Sequence, residues 1–85
     1  MNCLVNFQTT NTDRKRAIED HLAKARKGGK ATETLWVLQV PEDSKLISGG
    51  LESELSAFLD PSQDTLFICF CSGACNFSGK IAYSN

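Results

Sequence analysis

The chain has 85 residues, of which 41% are hydrophobic and 22% charged, and its net charge is −1. We expect one globular domain over residues 1–85, near the size at which an unaided core becomes marginal. No apolar run approaches the ~20 residues of a membrane span, and residues 1–7 lack the basic start and long apolar core of a signal peptide. The expected location is therefore cytoplasmic, with the four cysteines present as reduced thiols.

The first half of the chain predicts a strand followed by a helix. Residues 2–8 form the strand, with alternate side chains on opposite faces. Capping residues then start a helix at Thr12 or Asp13, which continues to about Lys27 and ends at two glycines. The stripe of this helix that we expect to be buried consists of Ile18, Leu22 and Ala25.

Further strands and a second helix follow. A short edge strand is expected within residues 30–33, and residues 35–40 form a stronger strand that Pro41 ends. The second helix covers about residues 51–59 and stops at Asp60-Pro61. Its expected buried residues are Leu51, Leu55, Phe58 and Leu59. Residues 81–83 carry a weak strand signal.

The stretch 64–71 is apolar on both faces, because Leu66, Ile68 and Phe70 alternate with Phe67 and two cysteines. A strand with one solvent-exposed face would alternate apolar with polar residues. We therefore expect a central strand that is covered on both sides. Together the elements predict an α+β sandwich with both helices on one face of the sheet.

Two helices can cover only one side of such a sheet. Leu4, Phe67 and Cys69 would then lie on the open side. One of the two faces of the strand at 35–40 would lie there too, either Trp36, Leu38 and Val40 or Leu35 and Val37. The simplest cover is a second copy of the chain, packed sheet to sheet. Leu4, Phe67 and Cys69 are therefore predicted to form a homodimer interface.

The order of these elements and four short motifs resemble the SinR-like proteins, small relatives of the CRISPR-associated Cas-two (Cas2) family. VapD-type toxins share that fold. The motifs are Glu33-Thr-Leu-Trp-Val-Leu38, Phe58-Leu-Asp60, Asp64-Thr-Leu-Phe-Ile68 and Asn76-Phe-Ser-Gly79. The resemblance implies a ferredoxin-like βαββαβ sandwich, an antiparallel sheet with two helices on one face. It also implies a dimer through the open sheet face, with residues 76–85 packing on the partner protomer.

In that family, metal-dependent nuclease activity is attributed to an aspartate at the end of the first strand. Gln8 occupies the matching position in this chain. A neutral amide binds a hard divalent cation far more weakly than a carboxylate does, and Asp13 is explained as a helix cap. We therefore expect no catalytic residue, no bound metal and no cofactor.

Seven of the nine Lys and Arg residues lie between positions 14 and 30. Contacts of such residues with phosphates give sequence-independent, salt-sensitive binding to RNA or DNA. The alternative is a solvated helix face that binds nothing. The predicted nucleic-acid-binding residues are Arg14, Lys15, Arg16, Lys24, Arg26, Lys27 and Lys30.

Three cysteines cluster at positions 69, 71 and 75, and Cys3 lies on a neighbouring strand. Four thiolates can hold zinc, but structural sites prefer ligands in turns at short gaps. Buried structural thiols are therefore the main prediction, with zinc and a Cys71–Cys75 disulfide as alternatives. His21 has no second ligand or nucleophile nearby in the sequence, and it is interpreted as a boundary residue of the first helix.

Three functional hypotheses follow. The first is a non-catalytic homodimer that binds nucleic acid or scaffolds a defence-related complex. The second is a metal-dependent endonuclease of the same fold that uses another carboxylate. The third is a protein-binding module or inhibitor that uses the acidic loops.

Overall fold

A computed structural model describes residues 1–72 and contains four strands and two helices in the order βαββαβ. They are β1 (Asn2–Gln8), α1 (Thr12–Lys24), β2 (Gly29–Lys30), β3 (Leu35–Gln39), α2 (Leu51–Ser56) and β4 (Thr65–Cys71). A kinked π-type turn, Leu46–Gly50, leads directly into α2. The predicted strand at 81–83 and the tail 76–85 lie outside the described residues.

The four strands form one antiparallel sheet in the order β2-β3-β1-β4. Residues Asn2 to Asn6 of β1 pair with β3, and β1 pairs along its whole length with β4. This topology confirms the predicted α+β, ferredoxin-like βαββαβ fold. The stretch expected to be central, β4, instead lies at an edge of the sheet of residues 1–72, while β1 occupies the interior.

The core lies between one face of the sheet and the two helices. α1 contributes Ile18 and Leu22, and α2 contributes Leu51 and Leu55. The buried sheet residues are Cys3, Val5, Phe7, Trp36 and Leu38, and Val40, directly after β3, is buried with them. Alternation along β1 predicted its buried face correctly, because successive side chains of a strand point to opposite sides. For β3 the structure decides between the two predicted faces. Within residues 1–72, no helix is long and apolar enough to cross a membrane.

The first helix is shorter than expected, and one residue of the stripe predicted to be buried is exposed. It stops at Lys24, Ala25 is exposed rather than buried, and Lys27 takes a left-handed φ of 51°. This turn brings Gly28 into the core, where its backbone N–H donates to the Leu22 carbonyl at 2.8 Å. A Cβ at Gly28 would lie 2.3 Å from Leu38 Cδ2, so any other residue at this position would have to displace the Leu38 side chain.

Other helices and strands also begin or end a few residues away from the predicted positions. The cap of α1 is Asn11, whose side chain accepts from the Arg14 backbone N–H at 2.9 Å, rather than Thr12 or Asp13. The edge strand β2 is Gly29–Lys30 instead of lying within 30–33. α2 ends at Ser56, so the predicted buried residues Phe58 and Leu59 are half-buried in the turn that follows and pack against the core.

Candidate functional site

The face of the sheet opposite the helices carries a row of apolar side chains. Leu4 in β1 lies in register with Val37 of β3 on one side and with Cys69 of β4 on the other. Phe67 lies two residues before Cys69 and is 65% exposed. Elsewhere in residues 1–72, the other exposed large hydrophobic residue is Ile47, at 39%. A contiguous apolar patch of this kind marks an interaction surface.

Polar residues border this row, which we call the open-face row (Leu4, Val37, Phe67, Cys69). At one end the Asn2 and Gln39 side chains hydrogen-bond to each other across the β1–β3 pair. Toward the other end, beside Phe67, Asn6 Nδ2 donates to Thr34 Oγ1 at 3.3 Å. An apolar centre with a polar rim is the usual composition of a protein–protein interface.

Gln8 lies at the end of β1, in an open cleft of about 350 Å³. Lys15 Nζ reaches Glu33 Oε2 at 3.3 Å across the cleft lining, and this hydrogen bond, with Lys30 nearby, lowers the pKa of Glu33. The remaining lining residues are Phe7, Thr9, Thr10, Thr34, Gln63 and Thr65. Within residues 1–72, no group of three or more His, Cys, Asp or Glu side chains is placed so that it could hold a metal ion.

Several of the predicted nucleic-acid-binding residues are engaged in ion pairs within the chain. Arg14 Nε lies 2.8 Å from an Asp64 carboxylate that is fully buried, and Lys30 Nζ lies 2.8 Å from Glu19. Lys15 pairs with Glu33, as described above. The charges of these residues are therefore partly compensated inside the fold.

The remaining basic residues of the segment differ in exposure. Arg26 is only 20% exposed and pairs with Glu54. Lys24 is 78% exposed, and its 3.4 Å contact with Asp20 is a surface pair, which contributes little and is screened by salt. Arg16 and Lys27 are also exposed. The exposed cations of residues 14–30 are thus Arg16, Lys24 and Lys27.

Sequence reasoning missed the carboxylate that joins the two helices. Glu54 on α2 accepts from Arg26 Nε at 2.8 Å and contacts His21 Nε2 at 2.7 Å. The hydrogen bond from Arg26 is the main cause that lowers the pKa of Glu54 to about 2. The His21 ring also packs against Phe58, with ring centroids 4.8 Å apart. No local pattern could have revealed this cluster, because Glu54 is 28 residues from Arg26 and 33 from His21.

The described cysteines occupy opposite faces of the sheet. Cys3 is fully buried on the core side, whereas Cys69 lies on the open side, in register with Leu4, and Cys71 follows on that side two residues later. Burial is the main cause that raises the pKa of the Cys3 thiol to about 11, and Cys69 adds to it. Cys75 lies outside the described residues. Cys3 therefore points away from the two cysteines with which a zinc site would have to share it.

We expect less than stoichiometric zinc in protein purified without chelator, because zinc needs convergent thiolates. Thiol titration should detect all four cysteines in denaturant. In the native state Cys3 should react far more slowly than Cys69, since the thiolate is the nucleophile and both burial and a raised pKa suppress it in Cys3. Elemental analysis that found one zinc per chain, or a Cys3 that reacts as fast as Cys69, would contradict this prediction.

Comparison with known proteins supports the fold. No known family profile matches the sequence, and no curated protein matches it. The crystal structure of Streptococcus pyogenes Cas2 at pH 6.5 superposes with a TM-score of 0.58 at 19% sequence identity, over 85% of this chain and 87% of that one. The chain therefore has a Cas2-like, ferredoxin-like α+β fold. The more specific resemblance to SinR-like and VapD-type proteins stays a prediction.

Proposed function

We propose that this chain is a non-catalytic, Cas2-like homodimer of the cytoplasm that binds nucleic acid or scaffolds a defence-related complex. The observation that carries the proposal is the open-face row, which joins three strands of a Cas2-like sheet and includes a Phe67 that is 65% exposed.

A second copy of the chain is the occupant that this face fits best. An isologous pair brings the same patch from both protomers together, so an apolar row meets an apolar row and its polar border meets the border of the partner. Burial of the row would remove an exposed aromatic ring from water, which is the largest favourable term in most associations. Packing of residues 76–85 on the partner protomer belongs to the same proposal.

The absence of catalysis rests on Gln8. In the proposed dimer the two amides carry no net charge with which to concentrate a divalent cation and its activated water. The nearby Glu33 is engaged by Lys15 at 3.3 Å. A metal-dependent endonuclease of the same fold is therefore the less favoured function.

Nucleic-acid binding rests on the exposed cations of the first helix and the turn after it, Arg16, Lys24 and Lys27. A dimer would present them twice, and phosphates attracted to them would release condensed counterions. The internal ion pairs of Arg14, Arg26 and Lys30 make the available surface smaller than the sequence predicts. We therefore expect weak, sequence-independent binding.

Light scattering tests whether the protein is a dimer, because a dimer has about twice the 9.3 kDa mass of the chain. A stable, folded monomer at micromolar concentration would overturn the proposal.

Fluorescence anisotropy with labelled RNA and DNA tests the nucleic-acid part. Affinity should fall steeply with salt, and Lys24→Glu should weaken binding and reduce the salt slope by about 1 for each phosphate that the protein no longer neutralises. Lys45→Glu is the matched control, because Lys45 is exposed but lies outside residues 14–30, which contain the predicted binding residues. Arg26 is unsuitable for charge reversal, since its loss would leave Glu54 without its main partner.

The same samples decide between the remaining functions. Incubation with magnesium or manganese should leave both nucleic acids intact. Cleavage that disappears when one of the chain's own acidic residues is changed would favour the endonuclease. If the protein binds neither nucleic acid at low salt, the protein-binding module becomes the better interpretation.

A further inference from the structure

A second cavity, of about 340 Å³, is bounded by side chains of α1, β2 and β3. Trp36 of β3 lines this cavity and is only 5% exposed. Its indole Nε1 is buried and has no hydrogen-bond partner within residues 1–72. An indole nitrogen can only donate, and a buried donor without an acceptor is destabilising. An acceptor that residues 1–72 do not supply is therefore needed at this position.

The charged side chains that line the cavity leave one cation uncompensated. Glu19 Oε2 is the other buried atom without a hydrogen bond, but it lies 2.8 Å from Lys30 Nζ in an ion pair. Asp20 lies 3.4 Å from Lys24 in a surface pair. Arg16 is exposed and forms no ion pair within residues 1–72. The lining therefore offers one positive charge to a ligand.

The two groups without partners determine the chemistry of that ligand. The guanidinium of Arg16 and the indole of Trp36 are both donors only, so the ligand has to supply acceptor oxygens and a negative charge. A carboxylate does so with two oxygens that fit the planar fork of a guanidinium. A phosphate dianion would bring a second negative charge close to Asp20, which also lines the cavity, and like charges repel. A monoanion is therefore the better fit.

The uncharged part of the lining suits a short apolar group. It consists of the Trp36 ring, Ala23 and Gly28, and a cavity of about 340 Å³ is at the lower end of the usual range for ligand sites, about 300–1,000 Å³. Sites of this kind combine an aromatic or apolar wall with a few polar groups that fix the orientation of the ligand.

We propose that this cavity binds a small apolar monocarboxylate. Its carboxylate accepts hydrogen bonds from Arg16 and from the Trp36 indole, and its apolar part packs on the Trp36 ring beside Ala23. The carboxylate is that of a free organic acid or of the C-terminus of a peptide. This inference goes beyond the proposed function, because it requires neither nucleic acid nor a dimer.

NMR tests the site directly, because Trp36 is the single tryptophan of the chain and gives one indole signal in a proton–nitrogen correlation spectrum. Hexanoate should shift this signal downfield and reach saturation, since the indole N–H gains an acceptor. Hexanamide has the same carbon chain without the charge, and it should bind at least about tenfold more weakly, the effect of one charge-assisted hydrogen bond.

Two further ligands distinguish the sources of the carboxylate. N-acetylleucine presents the carboxylate as a peptide C-terminus does, and N-acetylleucinamide is its neutral counterpart. Tighter binding of N-acetylleucine than of hexanoate identifies a peptide C-terminus as the source, and the reverse order identifies a free acid.

Two substitutions locate the site. Arg16→Gln should weaken hexanoate binding about tenfold, because it removes the charge. Ala23→Leu should also prevent binding, since it fills the cavity without a change of charge. Lys45→Gln is the matched control for Arg16→Gln, because Lys45 is an exposed cation that does not line the cavity, and it should bind hexanoate as the parent protein does. Circular dichroism verifies the fold of each variant.

The outcomes separate this inference from the proposed function. An indole signal that does not move with millimolar hexanoate overturns the site, and so does equal binding of hexanoate and hexanamide or full binding by Arg16→Gln. A shift with inorganic phosphate but not with hexanoate shows that the ligand class is wrong. None of these results changes the mass of the protein in solution or its affinity for RNA and DNA, on which the proposed function depends.

Discussion

Phe67→Asp is expected to convert the proposed dimer into a folded monomer of 9.3 kDa. The carboxylate would have to be buried in the apolar contact between two sheets, and an unpaired buried charge costs several kcal/mol. The single protomer should tolerate the change, because Phe67 is 65% exposed and exposed substitutions away from special features stay within about 0.5 kcal/mol. Light scattering gives the mass, and circular dichroism with urea unfolding gives the state of the fold.

Ile47→Asp provides the matched control, because it places the same charge at an exposed large apolar residue off the open-face row. It should remain dimeric. The interface is located elsewhere if Phe67→Asp is still a dimer, or if both variants dissociate to the same extent.

Glu54→Ala should reduce the free energy of unfolding at neutral pH by about 2 kcal/mol. The substitution leaves Arg26, which is only 20% exposed, without its main hydrogen-bond acceptor, and it removes the contact to His21. Loss of one partner from a fully buried pair costs about 3–5 kcal/mol, and the 29% exposure of Glu54 reduces that figure. Urea unfolding followed by circular dichroism measures the change.

Acid should remove the contribution of Glu54 to the free energy of unfolding, because the pKa of Glu54 is lowered in the folded protein. Glu54 has a pKa of about 2 in the folded protein, against an ordinary value of 4.5. Its stabilising effect is therefore complete above pH 4.5 and is lost as the pH falls toward 2. Over this range the unfolding free energies of the parent protein and Glu54→Gln should converge.

Glu52→Gln is the control for both measurements, because Glu52 is an exposed residue on the same helix. It should have little effect at neutral pH and should keep the acid profile of the parent protein. The assignment to Glu54 is wrong if Glu52→Gln destabilises the protein equally, or if Glu54→Gln runs parallel to the parent profile down to low pH.

Much of the fold was predictable from the sequence because it depends on local periodicity. Alternation divided residues 2–8 and 35–40 into two faces, since successive strand residues point to opposite sides. For residues 2–8 it also identified the open face, whereas for residues 35–40 the structure decided that Trp36 and Leu38 face the core. Ile18 and Leu22 marked the buried side of α1 by their helical spacing. The open-face residue Phe67 was likewise identified from sequence alone.

The tertiary structure decided which of these elements and charges meet. An apolar pattern on both faces of residues 64–71 predicted a central strand, but periodicity carries no information on strand order, and β4 lies at an edge of the described sheet. Arg14 and Asp64 are 50 residues apart, and Arg26, in the turn after α1, pairs with Glu54 on α2. The cleft between Gln8 and Thr65 likewise depends on the register of two distant strands. Coulomb and hydrogen-bond energies depend on the separation of groups in space, and only the folded chain sets those separations.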